Sequence, residues 1–343
     1  MVYTKEKLAL LDLQLKAAKS IVITAHKSPD GDSIGSSLAL YHYLNQFHSN
    51  ITIVHPDKAP HFLEWMPGIN SILTFDENEA IVVQAMQNAD LIFCLDYNAT
   101  GRIGKVDAYL EASSAFKIMI DHHRDPDEGM VDLVFSDKNV CSTCQLIFDL
   151  IDARGDLQLI SDQLASCIYT GIITDSGSFR FSSVTPRTHE IAGYLIKNGL
   201  NHSVIHENLY DTNTENRIKL TSFALLEKLV VLPTLQTGYL SLTRGEQERF
   251  SPMKGDTEGL VNQVLSLKSV KLAVFFHESD GIIKISFRSN GTIPANDLAR
   301  THFGGGGHLN AAGGKFVGKI EEAIAKFVTI LPKFVEDNKV HFE

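Results

Sequence analysis

The sequence predicts an α/β protein: a doubly wound, mainly parallel sheet followed by a smaller α+β domain. Three observations lead there. Short apolar, β-rich runs alternate with helical periodicity through the first 200 residues, and that alternation favours right-handed βαβ units in a parallel sheet. Acidic and imidazole side chains gather at the ends of those runs, where an open parallel sheet binds its ligands. After residue 200 the pattern changes to a polar helical stretch, then to strands and a closing helix.

In chain order, "MVYTKEKLALLDLQLKAAKS" reads as an amphipathic helix. It lacks the unbroken apolar segment and small-residue cleavage site of a secretory signal. "SIVITAH" (20–26) reads as a buried strand, followed by a helix from Ser33 to about Phe47 with Ile34, Leu38 and Leu44 near helical spacing. "NITIVH", "SILTF", "LIFCLDY" and "FKIMIDHH" are further strand candidates. His26, Asp30 and Asp32 follow the first run, Asp96 ends "LIFCLD", and Asp121, His122 and His123 end "FKIMIDHH". Asp175 follows the apolar "CIYTGIIT", read as one more strand end. Four segments are therefore expected to deliver acid or imidazole groups to one sheet edge. The expected domains are 1–200, a helical connector at 201–228, and 229–343, where "VKLAVFFHESDGIIKISFRSN" is a hairpin by its "ESDG" turn.

Composition narrows the classes. Apolar residues make up 44% and charged residues 21% of the 343 positions, a globular balance. No run approaches the roughly 18 apolar residues of a membrane span. Four cysteines give no disulfide framework and point to a reducing cytoplasm. A net charge of −10 argues against broad nonspecific nucleic-acid binding, which needs a basic surface. From residue 229 onward 13 Lys+Arg face 12 Asp+Glu, so the first 228 residues carry −11. "CSTC" (141–144) has no second cysteine pair and opens a helix-like segment, so its thiols read as structural. His42, His48, His55, His61, His189 and His202 have no ligand-like partners nearby in sequence and read as surface or helix residues.

Carboxylates as close as Asp30 and Asp32 repel and raise each other's pKa unless a cation lies between them. Carboxylates with imidazoles suit Mn²⁺ or Mg²⁺, whereas zinc more often recruits thiolates. The stretches "HKSPDGDSIGSS", "LDYNATGRIG", "DHH", "TGIITDSGSFRFSSVTPRTHEIAGYLIKNG" and "SFRSN…GGGGHLNAAGG" together resemble the DHH phosphoesterase superfamily. Within it they are similar to the bifunctional oligoribonucleases and phosphoadenosine-phosphate (pAp) phosphatases. The motifs follow the family's order along nearly the whole chain.

The resemblance implies a divalent-metal-dependent phosphohydrolase with two ions, Mn²⁺ first, Mg²⁺ or Co²⁺ as alternatives. It implies that His26 and Asp30 hold one ion, that Asp32, His122 and Asp175 hold the other, and that Asp96 bridges them. Two ions roughly 3.5–4 Å apart clamp a phosphate and acidify water. His123 is expected beside them as a catalytic or phosphate-contacting group, with Asp121 orienting the histidines. Gly31 is expected to let the backbone turn sharply, and Pro29 to stiffen the approach. The Tyr97-Asn98 and Arg124-Asp125-Pro126 stretches depart from many relatives and are expected to reshape the substrate's entrance. Arg102, in "TGRIG", could reach a phosphate.

In the second domain the resemblance implies a substrate-binding loop of Gly304, Gly305, Gly306, Gly307 and His308. Arg288 and Ser289 are expected to act with it, and the active site to lie in the cleft between the domains. Expected substrates are short oligoribonucleotides, pAp, or both, with no long duplex and no membrane, for a cytoplasmic enzyme that could be a homodimer. The alternatives are a cyclic- or linear-dinucleotide phosphodiesterase, a pyro- or exopolyphosphatase, and an inactive nucleotide-binding regulator.

Overall fold

The computed structural model describes residues 2–253, 255–279 and 281–342. The chain divides into two compact units, Met1–Thr212 and Asn213–Glu343. The first contains α1 (Lys5–Ala17), β1 (Ile21–Ala25), α2 (Gly31–Leu44), β2 (Ile51–His55), β3 (Ile72–Thr74), α3 (Phe75–Asn88) and β4 (Leu91–Leu95). It continues through α4 (Asp107–Ala112), β5 (Phe116–Asp121), β6 (Leu133–Ser136), α5 (Thr143–Ala153), α6 (Asp162–Asp175), α7 (Pro186–Lys197) and α8 (His202–Tyr210). Its six strands run parallel in the order β3-β2-β1-β4-β5-β6. Their apolar runs are continuous because both faces are covered. Ile21 and Ile23 of β1 enter one core, and Val22, with Ile92 and Cys94 of β4, enters the other.

The doubly wound parallel sheet stands as predicted, with differences at particular elements. The helix expected from Ser33 starts at Gly31, because Asp30 caps it: its Oδ1 accepts from the Asp32 and Ser33 amides at 3.1 and 3.0 Å. Gly31 makes no sharp turn between the aspartates. It is the first helical residue, and a Cβ there would collide with Thr174 of α6. "CIYTGIIT" lies in α6, not in a strand, and Asp175 is that helix's last residue. α6 packs against α2 and α5, so an apolar run buried all round carries no period to separate helix from strand. Three strand ends (β1, β4, β5) and two helices (α2, α6) therefore bring the acidic and imidazole groups together. β6 is a short strand with no sequence-level counterpart among the expectations.

The second unit holds α9 (Glu215–Glu227), β7 (Val230–Leu232), β8 (Thr237–Leu242), α10 (Arg244–Glu248), α11 (Leu260–Leu265), β9 (Leu272–Ser279) and β10 (Ile282–Ser289). After these come α12 (Ala295–Phe303), β11 (Gly306–His308), β12 (Ala311–Phe316), α13 (Ile320–Asp337) and α14 (Lys339–Phe342). Its sheet runs β11-β12-β10-β9-β8-β7, antiparallel except for the β8–β9 pair. β9 and β10 pair as the expected hairpin, Ile282 opposite Ser279, while Asp280 of the turn lies outside the described residues. The segment 201–228 is helical, with α8 in the first unit and α9 in the second. Among the described residues no helix is long and apolar enough to cross a membrane.

His55 is the exception among the histidines read as surface or helix residues: it is wholly buried at the end of β2. Its Nε2 lies 3.0 Å from Ser37 Oγ, whose own proton goes to the Ser33 carbonyl. Nε2 is therefore the donor, and the buried Nδ1 has no hydrogen-bond partner. Burial, reinforced by the charge of His26, pushes the imidazole down to about 3. An unfolded histidine takes its proton near pH 6.5, so stability falls as pH drops from there towards 3, by up to about 1.4 kcal/mol per unit. His55→Leu should escape this loss. Urea unfolding of both proteins between pH 7 and 4.5 should show the difference widening in the variant's favour as pH falls. A constant difference would mean that folded His55 takes up the proton.

Candidate metal centre

Strand order reverses between β1 and β4, which are neighbours although β2 and β3 intervene in sequence. Such a reversal opens a crevice beyond the strands' carboxyl ends. His26 follows β1 directly and Asp96 follows β4 directly, so both enter that crevice. Asp96 is buried and has a left-handed backbone, φ +62°, a conformation that short polar Asp tolerates better than most side chains. Its two oxygens face different partners. Oδ2 lies 3.3 Å from His26 Nε2, which is also 3.7 Å from Asp30 Oδ2. Oδ1 lies 3.4 Å from His122 Nε2, which is also 3.7 Å from Asp32 Oδ2 and 3.3 Å from Asp175 Oδ2.

Surrounding groups fix these side chains. The Asp32 carboxylate sits on the first amides of α5, accepting from Thr143 N at 2.6 Å and Cys144 N at 2.9 Å. A helix N-terminus is favourable for an anion. Thr143 Oγ1 donates to Asp96 Oδ1 at 3.0 Å. His26 Nδ1 donates to the Lys27 carbonyl at 2.9 Å, and His122 Nδ1 faces the Val140 carbonyl at 3.4 Å. Both rings thereby turn Nε2 towards the carboxylates, the orientation a metal-binding imidazole needs. His123 donates from Nδ1 to Asp121 Oδ1 at 2.7 Å, with Asp96 Oδ1 3.7 Å away. Asp121 is wholly buried at the end of β5.

The electrostatics call for positive charge. Two amide donors favour ionised Asp32, yet burial together with Asp96 and Asp175 pushes its carboxyl well above the usual range. Burial opposes protonation of His26, but Asp30 and Asp96 outweigh it and raise the ring to about 9. His122 is raised well above its ordinary value, against burial, by Asp96 and Asp175. Burial also works against Asp96, which its imidazole partners hold well below the carboxylate range. Protons are drawn to the places where a cation would sit. The ligand atoms of His26, Asp30 and Asp96 lie within 4.8 Å of one another, and so do those of Asp32, Asp96 and His122. All are carboxylate oxygens or imidazole nitrogens, so the donor set fits a hard-to-borderline divalent ion.

Arg102 lies near enough for its charge to oppose protonation of both His26 and His123. Tyr97 does not shape an entrance: it is wholly buried, its hydroxyl 2.7 Å from Thr24 Oγ1. Asn98 fastens the loop after the histidines, donating to the Arg124 carbonyl at 2.7 Å and accepting from Asp127 N at 2.8 Å. All four cysteines are buried and unbridged. Thr143 and the amides beneath Asp32 escaped the sequence reading. The signal that could have found them is "CSTC" itself, whose Ser142 caps α5.

In the second unit Arg288 lies on β10 between Ala273 and Ala311. Ser289 is buried, donates to the Ile293 carbonyl at 2.7 Å and accepts from Asn310 at 2.9 Å. Its one hydroxyl proton is committed to that carbonyl. The glycine stretch is not an open loop. Gly304 ends α12, and Gly306–His308 form edge strand β11 paired with β12. A Cβ at Gly305 would collide with the Gly313 carbonyl oxygen, so glycine there permits backbone contact.

Comparison with known proteins gives the family. Residues 20–172 match the DHH family, N-terminal domain, and residues 247–337 match the DHHA1 domain. The chain is 29% identical over 315 residues to the bifunctional oligoribonuclease and PAP phosphatase NrnA of Thermus thermophilus, covering 91% of this chain and 89% of that protein. It is 28% identical to the protein of the same name from Bacillus subtilis, covering 86% and 88%. An exopolyphosphatase-related protein from Bacteroides fragilis has a crystal structure with a TM-score of 0.92 and 39% identity, covering 96% of this chain and 97% of that one.

Thr143→Val keeps the shape of the side chain and removes only the donor to Asp96. Loss of such an orienting partner typically costs 10- to 100-fold in metal affinity. Calorimetric titration with Mn²⁺ should show a loss of that size, with the circular dichroism spectrum unchanged. Undiminished affinity would mean that Thr143 does not tune the cluster.

Proposed function

The chain belongs to the DHH family of phosphoesterases, and on that premise we propose that it hydrolyses phosphate esters of short oligoribonucleotides, pAp, or both, using two divalent ions. The observation that carries this is Asp96, whose two oxygens face two separate imidazole–carboxylate groups. His26 and Asp30 serve one ion, Asp32, His122 and Asp175 the other, and Asp96 both. When bound, the ions polarise the phosphoryl group and bring water's acidity towards neutral pH. Mn²⁺ suits this donor set, with Mg²⁺ and Co²⁺ as the alternatives.

The protein's own groups divide the remaining work. Burial keeps the His123 ring below its ordinary pKa, although Asp121 and Asp96 pull the other way. A neutral His123, held through Nδ1 by Asp121 and close to Asp96, is placed to contact a phosphate or pass a proton. Arg102 supplies a guanidinium for a phosphate oxygen. Arg288, His308 and the backbone of the Gly304–Gly307 stretch bind substrate in the second unit. The net charge of −10 disfavours long polyanions, which bind through many basic contacts. The relatives named as oligoribonucleases and PAP phosphatases favour nucleotide substrates. The exopolyphosphatase-related likeness keeps polyphosphate as a second reading.

A substrate panel with Mn²⁺ or Mg²⁺ separates the two: pAp, 2–5-mer RNA, a 25-mer, linear pApA, pyrophosphate and polyphosphate. Hydrolysis should be fastest on pAp and the shortest RNAs, and hydrolysis of pyrophosphate or polyphosphate alone would defeat the nucleotide reading. Asp96→Asn should abolish turnover and lower metal content while the fold survives. Retained activity in that variant would remove Asp96 from its bridging place. Arg288→Ala should lose about ten- to a hundredfold in kcat/KM on nucleotides, the scale of one charge-assisted contact. It should leave bis-p-nitrophenyl phosphate nearly unaffected. Equal losses on both would assign Arg288 to the chemical step or to the fold.

A further inference from the structure

A group of aromatic rings on α6, α7, α8 and the turn that follows Asp175 has no part in the chemistry above. His189 of α7 stacks on Phe179 at 5.1 Å and 24°. Phe179 lies 6.3 Å from Tyr169 of α6, whose ring is 5.9 Å from His206 of α8 and whose hydroxyl is 3.2 Å from that ring's Nε2. His206 in turn meets His202 at 6.2 Å and Tyr210 at 5.7 Å. Six rings thus form a continuous chain within the first unit. Tyr169 is its buried floor, Phe179 and His206 are half-buried, and His189, His202 and Tyr210 are exposed.

The backbone between Asp175 and these rings is unusual. Gly177, Ser178 and Phe179 have consecutive φ values of +58°, +58° and +64°. Two of these are side-chain-bearing residues in a region such residues rarely adopt, and strain of that kind collects at ligand sites. Fixed points hold the turn: Ser178 Oγ donates to the Tyr210 hydroxyl at 2.9 Å, and Arg180 Nε donates to the Gly177 carbonyl at 2.9 Å. The strained turn thus brings Phe179 against His189 within four residues of a carboxylate of the metal cluster.

We propose that these rings, with Phe179, His189 and Tyr210 as the accessible members, form a stacking platform for the nucleobase of the substrate whose phosphate lies at the metal cluster. The proposal rests on the nucleotide reading above and gives the base a location. Every base has a π-face, so an aromatic platform binds bases with little regard to sequence. Pyrophosphate and polyphosphate have nothing to place there.

The test compares pAp with its abasic sugar bisphosphate on wild type, His189→Ala, Tyr210→Ala, the double variant and Tyr210→Phe, each with its melting temperature. Wild type should prefer pAp. The alanine variants should lose about five- to a hundredfold in kcat/KM on pAp, the range for one base on an aromatic side chain, chiefly in KM. On the abasic compound they should stay within about twofold of wild type. Tyr210→Phe, which keeps the ring and loses the hydroxyl, should keep its efficiency on pAp. Equal losses on the two compounds, no loss on either, or a Phe variant as impaired as the alanine would overturn the platform while leaving the nucleotide reading intact. A wild-type enzyme with no preference for pAp would overturn both.

Discussion

Buried Asp32 and Asp96 converge with partly buried Asp175 and exposed Asp30, and the first unit is arranged around their repulsion. Asp32 and Asp96 are almost wholly buried, and His122 links them to Asp175. Like charges in a low-dielectric crevice cannot all stay ionised without compensation. The protein supplies it in several forms. The N-terminus of α5 offers Asp32 two amides, the helix that Asp30 caps gives that residue two more, and Thr143 donates to Asp96. These donors fix the geometry but leave a deficit of positive charge, visible in the raised titration of His26 and His122. A divalent ion meets that deficit better than protons do, because it leaves every ligand in its metal-binding form.

Holding the carboxylates this close also imposes a packing condition on the helices that carry them. α2 carries Asp32 and α6 carries Asp175, so the two helices must approach each other closely. Gly35 of α2 lies where a Cβ would sit 2.7 Å from the Cys167 carbonyl oxygen, and a Cβ on Gly171 of α6 would reach 2.7 Å from Asp32 Oδ1 while striking the Cys144 thiol. Glycine in a helix interior costs up to about 1 kcal/mol relative to alanine. Here that cost secures the spacing of the site, and the Cys144 thiol fills what space remains.

Legibility followed the physics of each element. β1 and β4 were readable because burial on both faces makes strands continuous apolar runs, and the acidic residues after them were readable because parallel sheets bind ligands there. α6 was misread for the same reason that the strands were found, since an apolar run enclosed on all sides looks alike in either conformation. His55 was misjudged because its partner Ser37 is 18 residues away on another element and no local pattern marks the burial. Ser289 and the glycine stretch were singled out through the family resemblance, and their local structural roles had no sequence signal. In the fold they fasten a turn and a β-hairpin, because hydroxyl bonds and backbone contacts depend on pairings such as Ser289 with Asn310. Thr143 was invisible for a related reason: it acts on Asp96, 47 positions earlier.

Both ligand groups depend on the placement of Asp96. A carboxylate that faces two imidazole–carboxylate groups must stand where both reach it, and a parallel sheet offers such a place between β1 and β4, where strand order reverses. His26 comes from the β1 side, while His122 follows β5 on the other side of β4. A carboxylate continuing β4 in an extended backbone would alternate towards one sheet face. The left-handed φ of +62° at Asp96 breaks that alternation, and its amide still reaches the Ile120 carbonyl of β5 at 3.1 Å. The strained residue is thus fixed by the neighbouring strand, its carboxylate by Thr143, and its charge by two imidazoles. Strain at a residue so thoroughly held persists because every alternative gives up one of those partners.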